Sequence, residues 1–98
     1  MEIKRWDDGK RGVFDAIEGE NVLMGKMVYH YASPQKIVIE HTEVPAQYEG
    51  RGVGGQLVAA AVQFAREKGV KIDPVCPFAN ATFKRHTEYA DVLGGVLH

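Results

Sequence analysis

The residues of this 98-residue chain that best suit a chemical task are the glycines near its middle. Four of them fall within six positions, in the segment Gly50-Arg51-Gly52-Val53-Gly54-Gly55. A glycine has no Cβ, so the backbone can closely approach another molecule there. A helical pattern begins at the same place, and the first N–H groups of a helix have no intrahelical acceptor. Free amides and the helix dipole favour a phosphate group, and Arg51 adds a full charge if its side chain faces the ligand.

Three other interpretations of the glycine cluster are weaker. A flexible turn without a ligand is disfavoured, because ordering four glycines on folding carries a large entropy cost. Gly50, Gly52 and Gly55 match the G-x-G-x-x-G pattern of dinucleotide-binding folds, but such a fold needs two mononucleotide-binding halves and the chain offers one. A P-loop is excluded because no Gly-Lys-Ser or Gly-Lys-Thr follows the glycines.

An antiparallel meander is predicted to precede the glycine cluster. Three stretches alternate apolar and polar residues and are separated by turn residues: Ile3–Trp6, Arg11–Ile17 and Val22–Tyr31. One face of the third stretch is predicted to carry mainly large apolar and aromatic side chains: Leu23, Gly25, Met27, Tyr29 and Tyr31.

A strand-helix-strand unit is predicted to hold the glycine cluster in place. Ile37–Val44 begins wholly apolar and becomes polar, which is typical of a strand that ends at a ligand site. The cluster leads into an amphipathic helix that ends at Lys68-Gly69, and Val70–Cys76 then follows as a strand. A right-handed crossover makes these two strands parallel.

A shorter helix is predicted over Phe78–His86, and the tail Tyr89–His98 fits no single element. The fold class is therefore α/β (α+β): antiparallel N-terminal strands, a β-α-β unit and a short C-terminal helix on a mixed sheet. Residues 1–98 are expected to form one domain, because a chain of this length has room for one core.

Composition narrows the classes of partner. A net charge of −1 provides no basic field for a nucleic-acid backbone or an anionic membrane, and no apolar run reaches membrane-spanning length. We therefore expect a soluble, cytoplasmic protein that binds neither. A single cysteine, Cys76, excludes an internal disulfide. With four scattered histidines it shows no zinc-ligand spacing, so no metal site is expected.

One longer motif resembles a known family. Gln47-Tyr48-Glu49-Gly50-Arg51-Gly52 matches the Q/R-x-x-G-x-G/A motif of the GNAT acetyltransferase superfamily. In that superfamily, successive backbone amides of the loop bind the CoA pyrophosphate. The resemblance thus implies a CoA-binding segment made of Gln47, Gly50, Arg51, Gly52, Val53, Gly54 and Gly55.

The resemblance extends over nearly the whole chain. The short length, the meander, Ile39–Val44, Val75–Ala79 and Tyr89–Val92 are similar to the minimal, single-domain YjdJ-type subfamily. Members of that subfamily lack the long N-terminal helices with which larger GNAT enzymes bind their acceptors, and this chain has no room for such helices.

The same resemblance implies catalytic residues. The oxyanion would accept a backbone N–H near Val44, at the end of the fourth strand. His41 is expected to lie on one face with Ile37 and Ile39 and to act as the general base. Cys76 is either a nucleophile that forms an acetyl-cysteine or a neutral packing and acid-base partner.

Further contacts to CoA are expected from the helix after Cys76. Its residues Asn80 and Lys84 would touch the adenosine or pantetheine part of CoA. Phe78, Phe83 and Tyr89 are interpreted as core residues.

The resemblance implies an acetyl-CoA-dependent N-acetyltransferase in which an amine attacks directly in a ternary complex. Its partners would be acetyl-CoA and an amine that the sequence does not identify, and the protein would be a monomer or a weak homodimer. One alternative is a CoA-binding module without transferase activity. Another is an interaction module that uses the strand face of Met27, Tyr29 and Tyr31.

Overall fold

The computed structural model describes all residues from Met1 to His98. The elements in chain order are β1 (Glu2–Asp7), β2 (Arg11–Glu18), β3 (Val22–Ser33), β4 (Lys36–Glu43), α1 (Val53–Lys68), β5 (Lys71–Pro74) and α2 (Pro77–Arg85). Short 3-10 turns cover Ala46–Tyr48 and Thr87–Val92. No helix is both long enough and apolar enough to cross a membrane.

The five strands form one mixed sheet in the order β1-β2-β3-β4-β5. The first four are antiparallel neighbours, whereas β5 returns parallel to β4 after the α1 crossover. This architecture confirms the predicted fold class. The predicted strand Val70–Cys76 is shorter than expected because Pro74 has no N–H for the ladder and Val75 turns back to donate to the Asp73 carbonyl.

Both helices pack on the same face of the sheet, which we call the inner face. Its strand residues are fully or almost fully buried: Phe14, Ala16, Met27, Tyr29, Ile37, Ile39, Ile72 and Pro74. On the opposite, outer face, Val13, Val28 and Val38 are only half-buried. The alternation in the sequence thus corresponds to a sheet that is covered on one side.

The strand face proposed for an interaction module is not available. Met27 and Tyr29 have no exposed surface, because α1 lies over them, and Tyr31 is half-buried. The expectation that Leu23 shares their face was wrong as well. Leu23 is 45% exposed and Met24 is buried instead, because a β-bulge at Ala16/Ile17 shifts the pairing of β2 and β3.

A second bulge decides the geometry of β4. Val28 pairs with His41, but its neighbour Tyr29 pairs with Ile39, so Glu40 is the extra residue in β4. Side chains alternate along a strand, and one extra residue reverses which face the following side chains occupy. Beyond the bulge, Thr42 lies opposite Met27 and therefore joins the inner face.

A hydrogen-bonded group of polar side chains lies where β1 and β3 pack beside the C-terminal half of α1. We call Arg5, Asp7, Tyr29 and Tyr31 the Asp7 cluster. The carboxylate of Asp7 accepts hydrogen bonds from the hydroxyls of Tyr29 at 2.6 Å and Tyr31 at 2.7 Å. The guanidinium of Arg5 lies 3.2 Å from the same carboxylate and 4.2 Å from the centre of the Phe64 ring on α1. The cluster therefore ties β1 and β3 to the helix.

Candidate functional site

A cavity of about 570 Å³ opens between the N-terminal end of α1, the end of β4 and α2. We call it the glycine-loop cavity. Its lining residues are Thr42, Val44, Tyr48, Glu49, Gly50, Gly52, Val53, Gly54, Gly55, Phe78 and Arg85. Six of the residues expected to bind CoA are among them: Val44, Gly50, Gly52, Val53, Gly54 and Gly55.

The backbone at the start of α1 points unused donors at this cavity. Gly52 caps the helix with φ of +76°, a left-handed conformation that favours glycine. The first intrahelical hydrogen bond runs from the Gln56 amide to the Gly52 carbonyl, at 3.0 Å. The amides of Val53, Gly54 and Gly55 therefore have no intrahelical acceptor, and no acidic residue stands in the first turn. This arrangement is suited to an anionic group.

Phe78 and Gly54 form a close contact across the cavity. A Cβ at position 54 would lie 2.4 Å from the Phe78 ring, so only glycine allows α2 to approach α1 this closely. Phe78 itself is 40% exposed and lines the cavity. The interpretation of Phe78 as a core residue was therefore wrong. Phe83, in contrast, is buried, and the half-buried Tyr89 packs edge-to-face against its ring.

Cys76 lies beside β4, next to Thr42. The Cys76 amide donates to the Ile39 carbonyl at 2.9 Å, which holds the residue against β4 after β5 has ended. The buried thiol donates a hydrogen bond to Thr42 Oγ1, at 3.4 Å. Because Thr42 Oγ1 serves as acceptor in that bond, its own hydrogen remains free to donate into the cavity that Thr42 lines.

The expectation that His41 shares a face with Ile37 and Ile39 was wrong. The bulge at Glu40 places His41 opposite Val28 on the outer face, while Ile37 and Ile39 remain buried on the inner face. Its ring lies 2.8 Å from the Glu43 carboxylate, and both side chains are more than half exposed. The hydrogen bond from His41 lowers the pKa of Glu43. The structure therefore does not bring His41 and Cys76 together.

Val44, directly after β4, lines the glycine-loop cavity and also a second cavity of about 490 Å³. This second cavity is lined by Leu23, Gly25, Lys26, Thr42, Glu43, Val44 and Pro45. Thr42 and Val44 are the two residues that the cavities share. Two separate molecules could therefore meet at Thr42 and Val44.

Four of the residues expected to bind CoA do not line the glycine-loop cavity. Gln47 is exposed, and the Arg51 guanidinium lies 5.8 Å from the centre of the Tyr48 ring. Asn80 is buried, and its amide group donates to the Pro74 carbonyl and accepts from the His98 amide. It thus holds the C-terminal tail. Lys84 lines a different concavity, on the side of α2 that carries Pro77 and Ala81.

Thr42 and Arg85, the two polar residues of the cavity that lie outside the Gln47–Gly52 motif, were missed in the sequence. Thr42 was overlooked because uninterrupted alternation along β4 would place it on the opposite face from Ile39, three residues earlier. Arg85 was overlooked because the helical pattern identified the faces of α2 only roughly. A signal existed for Thr42, since it follows a histidine in the polar end of a strand that stops at the glycine loop.

Comparisons with known proteins agree with this geometry. The family model of the GCN5-related N-acetyl-transferases matches residues 14–92. The solution structure of a GCN5-like protein from Staphylococcus aureus superimposes with a TM-score of 0.74 and 33% identity, over 99% of this chain and 91% of that one.

More distant relatives share the fold or part of the sequence. An aminoglycoside N-acetyltransferase in complex with CoA has a TM-score of 0.55 and 21% identity, over 82% of this chain and 66% of that one. Protein NATD1 of Danio rerio is 29% identical over 72 residues, which are 74% of this chain. The match spans 64% of that relative, less than two-thirds of its length.

The family model covers most of β2, all of β3 and β4, the glycine loop, α1, β5 and α2, so the match includes every element that builds the cavity. On this evidence the chain belongs to the GCN5-related N-acetyltransferase family.

Proposed function

We propose that this chain transfers the acetyl group of acetyl-CoA to an amine, by direct attack within a ternary complex. The observation that carries the proposal is the glycine-loop cavity, which combines three unpaired amides at one helix end with the Thr42–Cys76 pair. The amides suit the pyrophosphate of CoA, and the Thr42 hydroxyl, which accepts a hydrogen bond from the buried Cys76 thiol, suits the reacting end. Membership of the family supports the same assignment.

The residues present fit a CoA ligand. An anion at the start of α1 would accept hydrogen bonds from the amides of Val53, Gly54 and Gly55, and the helix dipole would add to the attraction. No side chain blocks Gly52 or Gly55, since a Cβ at either position would meet nothing within 4 Å. The loop is thus open to a ligand rather than filled by the protein itself.

Acetyl-CoA supplies a thioester, whose carbonyl carbon the neutral amine attacks. The new C–N bond forms as the C–S bond breaks, the amine gives up one proton, and CoA leaves as a thiol. A hydrogen-bond donor near the reacting carbonyl or sulfur stabilises the charge that develops there. We assign this task to the Thr42 hydroxyl, with Cys76 as the thiol that holds its orientation.

The second cavity is the proposed route of the amine. It meets the glycine-loop cavity at Thr42 and Val44, so an acceptor in it can reach a thioester without displacing CoA. Glu43 and Lys26 place one carboxylate and one ammonium along this route. They attract amines that carry a further charged group.

Acetylation is tested by incubating the protein with acetyl-CoA and a panel of amines and measuring free CoA thiol and acceptor mass. We expect release of CoA that depends on the amine, and initial-rate lines that intersect. Parallel lines together with an acetyl group trapped on Cys76 would contradict direct attack. If CoA raises the melting temperature but no free CoA thiol forms from acetyl-CoA, the protein is instead a CoA-binding module without transferase activity.

A further inference from the structure

Arg85 brings the only basic side chain to the lining of the glycine-loop cavity. It is exposed, and its guanidinium has no carboxylate within 4.0 Å, whereas Arg5 and Arg66 each pair with an aspartate. Glu49 is the other charged residue in the lining, and it is likewise unpaired. Arg85 is therefore a free cation beside a site that suits anions.

Arg51, the cation that the sequence pattern offered, does not occupy this place. Its guanidinium lies over the ring of Tyr48, 5.8 Å from the ring centre, and it does not line the cavity. The two arginines thus differ in one respect that can be tested. Arg85 faces the cavity from α2, and Arg51 lies outside it on the loop.

The position of Arg85 along α2 indicates which part of a ligand it would meet. α2 starts at Pro77, directly after the buried thiol of Cys76, and Arg85 is its last residue. Eight steps along a helix span about 12 Å. The Thr42–Cys76 pair, proposed for the reacting thioester, and Arg85 therefore mark distant parts of the cavity.

From this arrangement we infer that Arg85 binds the 3′-phosphate of CoA. The inference rests on the proposed function, because it assumes that CoA occupies the glycine-loop cavity. The pyrophosphate has amide donors at the start of α1, whereas the 3′-phosphate needs a partner of its own. A phosphate monoester carries close to two negative charges near neutral pH. A guanidinium matches it with two parallel N–H donors.

The inference makes Arg85 a specificity residue, which distinguishes CoA from its analogue 3′-dephospho-CoA. Contact with the 3′-phosphate strengthens the binding of CoA alone. Contact with any other part of the ligand strengthens both equally. The difference between the two affinities therefore isolates this one interaction.

The experiment measures dissociation constants of CoA and 3′-dephospho-CoA by calorimetry for the native protein, Arg85→Ala and Arg51→Ala. The native protein is expected to prefer CoA by about tenfold, the effect of one charge-assisted contact. In Arg85→Ala the preference disappears, because the affinity for CoA falls while that for 3′-dephospho-CoA stays the same. Arg51→Ala, the matched control, keeps the preference.

Two further results would overturn the inference while leaving the proposed function in place. One is an equal loss of affinity for both ligands in Arg85→Ala, and the other is a preference for CoA that survives the substitution. If neither ligand binds the native protein, the proposed function fails together with the inference. Circular dichroism of Arg85→Ala confirms that the variant is folded, as expected for an exposed side chain.

Discussion

The two halves of α1 differ in whether the polar groups around them have hydrogen-bond partners within the protein. Near its C-terminal half, the Asp7 cluster satisfies its polar groups within the protein, and Arg5 covers the ring of Phe64. At its N-terminal end, the amides of Val53, Gly54 and Gly55 have no intrahelical acceptor, and the hydroxyl hydrogen of Thr42 is free to donate. Groups that are paired internally stabilise a fold, whereas groups left unpaired are available to a ligand.

The helix ends themselves repeat this contrast. Gly52 and Gly69 both adopt left-handed conformations, with φ of +76° and +71°. The Gly69 amide donates back to the Ala65 carbonyl, which closes the C-terminal end of the helix. The same backbone conformation therefore closes the helix at one end and leaves three amides without an intrahelical acceptor at the other.

The largest expected effect comes from exchanging these two glycines for valine, one at a time. Gly52→Val is expected to weaken CoA binding at least about a hundredfold, since the loop must abandon its left-handed turn and misplaces amides that each contribute roughly 1.5–3 kcal/mol to an anion. Gly69→Val, with the same strain at the other end, should leave the affinity unchanged. Calorimetry on both folded variants provides the comparison. Equal affinities in the two variants would remove the loop from the site.

Breaking the Asp7 cluster should lower the stability of the protein without changing its affinity for CoA. Asp7→Ala leaves two part-buried tyrosine hydroxyls and one guanidinium without their shared acceptor, and we expect the free energy of unfolding to fall by about 2 kcal/mol. The dissociation constant of CoA should not change for the fraction that remains folded. Urea unfolding and calorimetry measure the two quantities. A loss of CoA affinity at low urea would show that the two regions are coupled.

A smaller effect is expected from two neighbouring residues of β4. Thr42→Val removes a hydroxyl from the shared wall of the two cavities at nearly constant volume, and turnover should fall at least about tenfold with little change in KM for acetyl-CoA. Thr42→Ser should restore most of the rate. His41→Ala should change turnover by no more than about twofold, because this side chain lies on the outer face. If His41→Ala slowed transfer more than Thr42→Val, the assignment of Thr42 would be wrong.

The smallest effect concerns the pH dependence of stability and is confined to the Asp7 cluster. Burial, followed by the hydrogen bond to Asp7, raises the pKa of Tyr31 from 10.0 to about 12. Its stabilising contribution is complete below pH 10 and is lost as the pH rises toward about 12, where the unfolded chain has released the proton and the folded chain has not. Urea unfolding between pH 9 and 12 should therefore show a steeper decline in the native protein than in Tyr31→Phe. Identical slopes would contradict this.

At acidic pH, the Asp7 cluster contributes to stability through Asp7, whose pKa is lowered, whereas that of Tyr31 is raised. Burial alone would raise the pKa of Asp7, but hydrogen bonds from Tyr29, Tyr31 and the Gly9 amide outweigh it and lower the pKa below 3.8. This contribution to stability is present above pH 3.8 and is lost as the pH falls through the pKa of the folded state.

The order of elements and the glycine loop followed from the sequence alone, because both depend on local properties. Alternation predicted the meander, helical spacing predicted α1, and Gly52 and Gly69 stand where a left-handed residue is needed. The match between Gln47–Gly52 and a known motif added the family. None of these features requires knowledge of which residues lie next to each other in space.

The face on which each residue of β4 lies was decided only by the tertiary structure. One extra residue, Glu40, arises from the pairing of β3 with β4, and no local pattern in Ile37–Glu43 indicates it. Side chains on a strand alternate with a period of two, so that single residue exchanges the faces of His41 and Thr42. Likewise, the packing of Phe78 against Gly54 brings α2 beside the cavity that Arg85 lines. Contacts between distant segments select which polar side chains reach the site, and this is why it contains Thr42 and Arg85 instead of His41 and Arg51.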